Sequence, residues 1–113
     1  MSDMQHVNHE VLADLREIMA GEFNRLIETY ITDSHLRLSQ LQRALVVADY
    51  DGVRQAAHSF KGSCSNIGAA RLVQLCQVLE EAVNIKQLEG LEHQLVELHA
   101  EFQRVQYQLE AYR

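Results

Sequence analysis

Leu88, Leu91, Leu95, Leu98, Phe102, Val105, Leu109 and Tyr112 follow one another at intervals of 3, 4, 3, 4, 3, 4 and 3 residues. A strict seven-residue repeat of this length lines one seam of a helix with apolar side chains. Such a seam packs at about 20° against antiparallel bundle neighbours or a coiled-coil partner. A strand would need its apolar residues at every second position, so this segment excludes one. Nothing upstream opposes a helical reading, because the 113 residues contain no proline and only five glycines. The expected fold class is all-α.

The helical period can be followed back along the chain. Asn8 is placed to cap a short first helix in which Val11, Leu12, Leu15, Ile18 and Met19 share a face, with Gly21 as its stop. Too short to be stable alone, this helix is expected to lid the others. From Glu22 to about Ala48, the residues Phe23, Leu26, Ile27, Tyr30, Ile31, Leu38, Leu41, Leu45 and Ala48 describe a long amphipathic helix. Asp33-Ser34-His35 interrupts its stripe, which predicts a bend there. Asp49-Tyr50-Asp51-Gly52 is the strong turn cluster of the first half, and Asp49 or Asp51 can cap the third helix. That helix runs to about Asn66 and ends near Gly68. Leu72, Leu75, Cys76, Leu79, Ala82 and Val83 mark a fourth, and the stretch from Asn84 to Gln87 links it to the heptad helix starting at Leu88. Short connections favour neighbours within one chain. The expected architecture is an antiparallel up-down-up-down four-helix bundle with a short N-terminal capping helix, one domain over residues 1–113. The other use of the heptad seam is a dimer interface, with a monomer as the default.

Charge narrows the function. Sixteen acidic against ten basic residues give a formal net charge of −6, which disfavours nonspecific binding to nucleic-acid phosphates and to anionic membranes. No apolar run has the length of a spanning helix, and Met1-Ser2-Asp3-Met4-Gln5-His6 lacks the basic and apolar regions of a signal peptide, so a cytoplasmic protein is expected. Cys64 and Cys76 both fall on apolar stripes. In a reducing compartment they read as small core residues, and with no further cysteines at ligand spacing no metal site is expected.

The chemistry concentrates between Val53 and Ala69. At about 100° per residue, Val53, Ala56, Ala57, Phe60, Cys64 and Ile67 fall within about 60° of one line, the buried face of a helix. His58 lies about 140° from that line, with Arg54 and Lys61 on its near flank, Gly62 one turn on and Ser65 two turns on. The histidine thus points out or sideways. Glycine inside a helix costs about 1 kcal/mol against alanine, so Gly62 calls for a compensation. It strips the surface beside the imidazole and admits a second macromolecule. An imidazole is largely neutral near neutral pH and then carries a nucleophilic nitrogen; beside the cation Lys61 it suits handling of phosphate.

Ala57-His58-x-x-Lys61-Gly62, followed by Cys64, Ile67-Gly68-Ala69 and Leu72, resembles the signature of histidine-containing phosphotransfer domains, the HPt modules of multistep phosphorelays. The resemblance implies that His58 is the phosphorylated residue, that Lys61 neutralises the phosphoryl group, that Gly62 clears space for the partner and that Gly68 turns the chain into the next helix. It implies receiver domains of hybrid sensor kinases and response regulators as partners. They would bring Mg²⁺ and a lysine of their own, so this chain would need no cofactor. Some members place a Gln from the next helix on the active imidazole, and here that position holds Glu80. A carboxylate there would accept Nδ1–H, fix the tautomer and favour the charged form of the ring; a merely solvated Glu80 is the other reading.

Docking beside His58 is expected to use Arg54, Ser65 and, at the start of the fourth helix, Ala69 and Val73, the last lying off its own apolar stripe. His6 and His9 are expected to be disordered or solvated, and His35, His93 and His99 receive no role. The same bundle would also serve a helical scaffold whose His58 is never phosphorylated, and fold alone does not decide between the two.

Overall fold

Backbone groups at helix ends need partners, and in this chain the caps set the element boundaries. The computed structural model describes residues 5–113. Among them lie α1 (His9–Met19), a 3-10 turn at Ala20–Glu22, α2 (Phe23–Val46), α3 (Tyr50–Asn66), α4 (Ala70–Asn84) and α5 (Leu91–Glu110). Asn8 Oδ1 accepts from the amides of Glu10 and Val11, and Asp49 Oδ1 accepts from that of Gly52. Asp49, not Asp51, is thus the cap of α3; Asp51 instead binds Arg54 and Gln55.

Three helices end in the same way. After α3, Gly68 adopts φ +75, its amide bonding Ser65 O while the next amide, of Ala69, returns to Cys64 O. This is a Schellman motif with glycine at the left-handed position. The same pair of bonds closes α2 around Ala48 (φ 59) and α4 around Lys86 (φ 61). Neither residue is a glycine, and the left-handed region costs a side-chain-bearing residue about 1 kcal/mol. Consequently α2 stops at Val46 rather than near Ala48, and α5 starts at Leu91, leaving Leu88 in the link.

The four long helices form a closed ring in which α2 packs on α3 and α5, and α4 on α3 and α5. Arg113 reaches Glu28, which sets the end of α5 beside the start of α2 and makes the two antiparallel. Phe102 is the hub of the interior, with the Tyr30 and Phe60 rings each 6.2 Å away and His35 edge-on at 5.3 Å. The heptad residues Leu91, Leu95, Leu98, Phe102, Val105 and Leu109 are all buried within the one chain. That burial uses up the seam that a dimer would have required.

α2 runs unbroken through Asp33–His35, with Ser34 fully buried. The small polar residue occupies a core position, so the apolar stripe is interrupted there in chemistry while burial continues through it. His6 is not solvated, since its Nδ1 meets Glu101 Oε2 at 2.6 Å and its amide donates to Gln108. Glu101 is only 2% exposed and takes Arg104 on its other oxygen at 3.1 Å; a carboxylate so buried requires such partners. His9 stacks on and hydrogen-bonds Tyr112 while remaining exposed, in keeping with the solvated position expected of it. The N-terminal segment is therefore tied to α5, and α1 lies on α2 as the expected lid.

The caps yield a pair of opposite outcomes. Gly68→Ala is expected to lose at least about 1 kcal/mol, because its φ is positive and a Cβ there would stand 2.8 Å from that of Asn8. Ala48→Gly is expected to gain about 0.5–1 kcal/mol from relieved strain. Urea denaturation of the two variants measures both.

Candidate functional site

The rotation of α3 is set by its buried face. Val53, Ala57, Phe60, Cys64 and Ile67 are all in the core, which turns His58 outward and leaves its side chain 68% exposed. Across from it, α4 buries Leu72, Cys76 and Leu79. Glu80, the residue after Leu79, consequently lies on the flank of α4 that borders α3, its side chain 14% exposed.

This one carboxylate joins the two residues singled out on α3. Glu80 Oε2 stands 2.9 Å from His58 Nδ1, and Oε1 stands 2.6 Å from Lys61 Nζ. Oε1 is hidden from solvent, and at this distance the Lys61 ammonium is its close, charge-assisted partner. Burial pushes the Glu80 carboxyl up, but Lys61 and His58, through hydrogen bonding and charge, outweigh it and hold the group below its ordinary range. An ionised carboxylate only accepts hydrogen bonds, so the ring must donate from Nδ1. In the neutral ring Nε2 then carries the lone pair.

The surroundings of His58 are open and basic. A Cβ added at Gly62 would meet nothing within 4 Å. One turn before His58, Arg54 is partly buried and bound to Asp51 at 2.7 Å. Ser65 is exposed two turns on. Of the other two residues expected to dock a partner, Ala69 does not reach the surface: it is fully buried because it follows the Gly68 turn into the core. Val73 packs against the same core with part of its side chain exposed. The cysteines lie beneath the site as free, buried thiols. Tyr30 OH contacts Cys64 Sγ at 3.1 Å, and the Cys64 contact together with burial pushes the Cys76 thiol far up, keeping it protonated.

Sequence reasoning missed Glu101 altogether. Its position beside Phe102 on the edge of the seam differs little from those of the exposed Glu92 and Glu97, and its partner His6 is 95 residues away.

A family model described as the Hpt domain matches residues 25–108, a span that includes α3, α4 and the whole His58–Glu80–Lys61 arrangement. The chain belongs to the Hpt domain family. Hpt domain proteins are phosphotransfer carriers, not kinases, and they interact with receiver domains in two-component phosphorelays. Among solved structures, this Hpt bundle is similar to the crystal structure of histidine-containing phosphotransfer protein B (HptB) from Pseudomonas aeruginosa PAO1. Identity is 34%, with 97% of this chain and 96% of that chain covered at a TM-score of 0.92. No curated protein matches. Among the described residues, no helix is long and apolar enough to cross a membrane.

The electrostatics of Glu80 have a signed consequence for this Hpt protein. Its carboxyl is held below the ordinary value of 4.5 when folded, so its contribution is complete above that pH and is lost as pH falls through the folded value. Glu80→Gln should be less stable than wild type near neutral pH by on the order of 1 kcal/mol. The difference should shrink as pH falls below that ordinary value and the folded carboxyl takes up its proton. Urea unfolding near neutral pH and in acid tests it, and a gap that stays constant would be inconsistent with this account.

Proposed function

We propose that this Hpt protein carries a phosphoryl group on His58 Nε2, accepting it from an aspartyl phosphate of one receiver domain and delivering it to the aspartate of another. The observation that carries the reading is the orientation of the ring: Nδ1 is engaged by Glu80 at 2.9 Å while the imidazole stays largely exposed. An aspartyl phosphate is a reactive mixed anhydride, so a partner needs from this chain an in-line nucleophile and charge screening in a loose transition state. His58 supplies the nucleophile. Lys61 screens, its ammonium standing on the same flank of α3 as the imidazole and paired with Glu80 until a phosphoryl group arrives. Glu80 is a positioning residue, and Gly62 is the clearance that lets a receiver approach.

The docking face is centred on Arg54, His58, Gly62 and Ser65, with Mg²⁺ and a further lysine arriving on the receiver. In sequence, the chain has no glycine-rich nucleotide loop, which fits a carrier charged by others rather than by ATP. Its direction of flow follows partner concentrations, since phosphohistidine and aspartyl phosphate are both high-energy species. The setting in which both kinds of receiver meet it is the cytoplasm.

Incubation with a panel of phosphorylated receiver domains is expected to leave acid-labile label on the wild type and none on His58→Gln, with equal helicity by circular dichroism. An unlabelled wild type with intact fold, whatever the donor, would instead indicate a helical scaffold. Gly62 gives a separate outcome. Gly62→Gln should leave the free protein as stable or up to about 1 kcal/mol more so, because glycine is the poorer helix former. Its transfer from a receiver should slow by about a hundredfold, the cost of about 1 Å of displacement from the in-line geometry. Stopped transfer assays alongside denaturation separate the two effects.

A further inference from the structure

We infer that Glu80 keeps the proton on Nδ1 of His58 throughout the transfer cycle, so that the phosphorylated ring is an N-phosphoimidazolium paired with a carboxylate and no proton need be exchanged with water in either direction. This rests on the phosphotransfer reading above.

The electron count follows from the geometry. In the resting protein Nδ1 donates to Glu80 Oε2 at 2.9 Å, and Nε2 carries the lone pair. Attack of that pair on phosphorus forms the Nε2–P bond, while the bond from phosphorus to the aspartyl oxygen breaks and its electrons leave with the carboxylate. The ring now bears one positive charge, with Nδ1–H still in place. In the return step a receiver carboxylate attacks phosphorus, the P–Nε2 bond breaks, and its electrons restore the lone pair. The leaving group is then a neutral imidazole. Had the Nδ1 proton been lost in between, the leaving group would be an imidazolate, a far poorer one, and a proton would have to be recovered before transfer.

The charges around the ring favour retention. From α4 the facing group is Glu80, and from α3 itself they are Lys61 and Arg54. Arg54 is engaged by Asp51. Lys61 opposes a cationic ring while it sits on Glu80, but the incoming phosphoryl group draws it away. Glu80 is then left with the imidazolium as its one cationic partner, in a largely buried position where such a pair is strong. A glutamine at this place would still accept from Nδ1 but would bring no charge, so it would orient the ring without holding the proton.

The test uses the whole protein, charged on His58 with phosphoramidate, a small donor that needs no receiver. Nitrogen-15 spectra of the phosphorylated imidazole, followed across pH, should show Nδ1–H in the wild type persisting at least about one pH unit above free N-acetyl-phosphohistidine, the low end of the effect of a close opposite charge. Glu80→Gln should lose the proton where the free compound does. Donation to an unphosphorylated receiver at about pH 8 should be at least about tenfold slower for the variant than for wild type, converging near about pH 6 where both rings are protonated. A wild-type ring that titrates with the free compound would overturn the inference while leaving His58 as the carrier. That comparison needs no variant, so it stands even if Glu80→Gln proves unstable. A wild type that takes no label on His58 would remove the phosphotransfer reading and this inference with it.

Discussion

The close approach of α3 to α4 is the constraint from which the rest of the molecule follows. The buried face of α3 carries the small side chains Ala56, Ala57 and Cys64, Cys64 meets Cys76 of α4, and small residues let helix axes come near. Only at such a distance can a glutamate on one helix engage a histidine and a lysine on the other. Phe60 and Phe102 then fill the space that remains toward α2 and α5. The packing that stabilises the bundle is therefore the same packing that orients the imidazole.

Much of this was legible in the residues. The α3 stripe located His58 on the surface, the heptad seam located the core of α5, and Gly68 located the corner after α3, since each depends on a periodicity or a backbone conformation that individual residues reveal. Ala48 and Lys86 were not legible, because they take a left-handed conformation that their side chains disfavour and that tertiary packing imposes. Ala69 was misplaced for a related reason: a small residue after a glycine turn reads as surface until the direction of the turn is known. His6–Glu101 joins opposite ends of the chain, and no local pattern announces a contact of that span. Glu80 sits between these cases. Its register opposite His58 came from a family resemblance, but its engagement of Lys61 as well is a matter of three-dimensional distance.

Charge is distributed against the average. The chain is net acidic at −6, yet from Val53 to Asn66 the charged residues of α3 other than histidine are Arg54 and Lys61. Glu80 offsets Lys61 and Asp51 offsets Arg54, so the face around His58 is balanced where the body as a whole is acidic. An acidic body with one such face repels like bodies elsewhere and admits an anionic active site there, which promotes productive orientation during encounter.

The tether of His6 to α5 acquires a different meaning when the other end of the chain is considered. Tyr112 stacks on His9 and lies under Arg16, while Arg113 reaches Glu28, so the start of α1 and the last residues of the chain lie together beside the start of α2. The α3–α4 face is built from the middle of the sequence, and its corner is held from outside by the Asn8 amide, which donates to Gly68 O at 3.0 Å. Such a bundle is topologically portable: it can be spliced into a longer polypeptide as an insert, or have its ends joined and be reopened at the α2–α3 corner, with its reactive face unchanged.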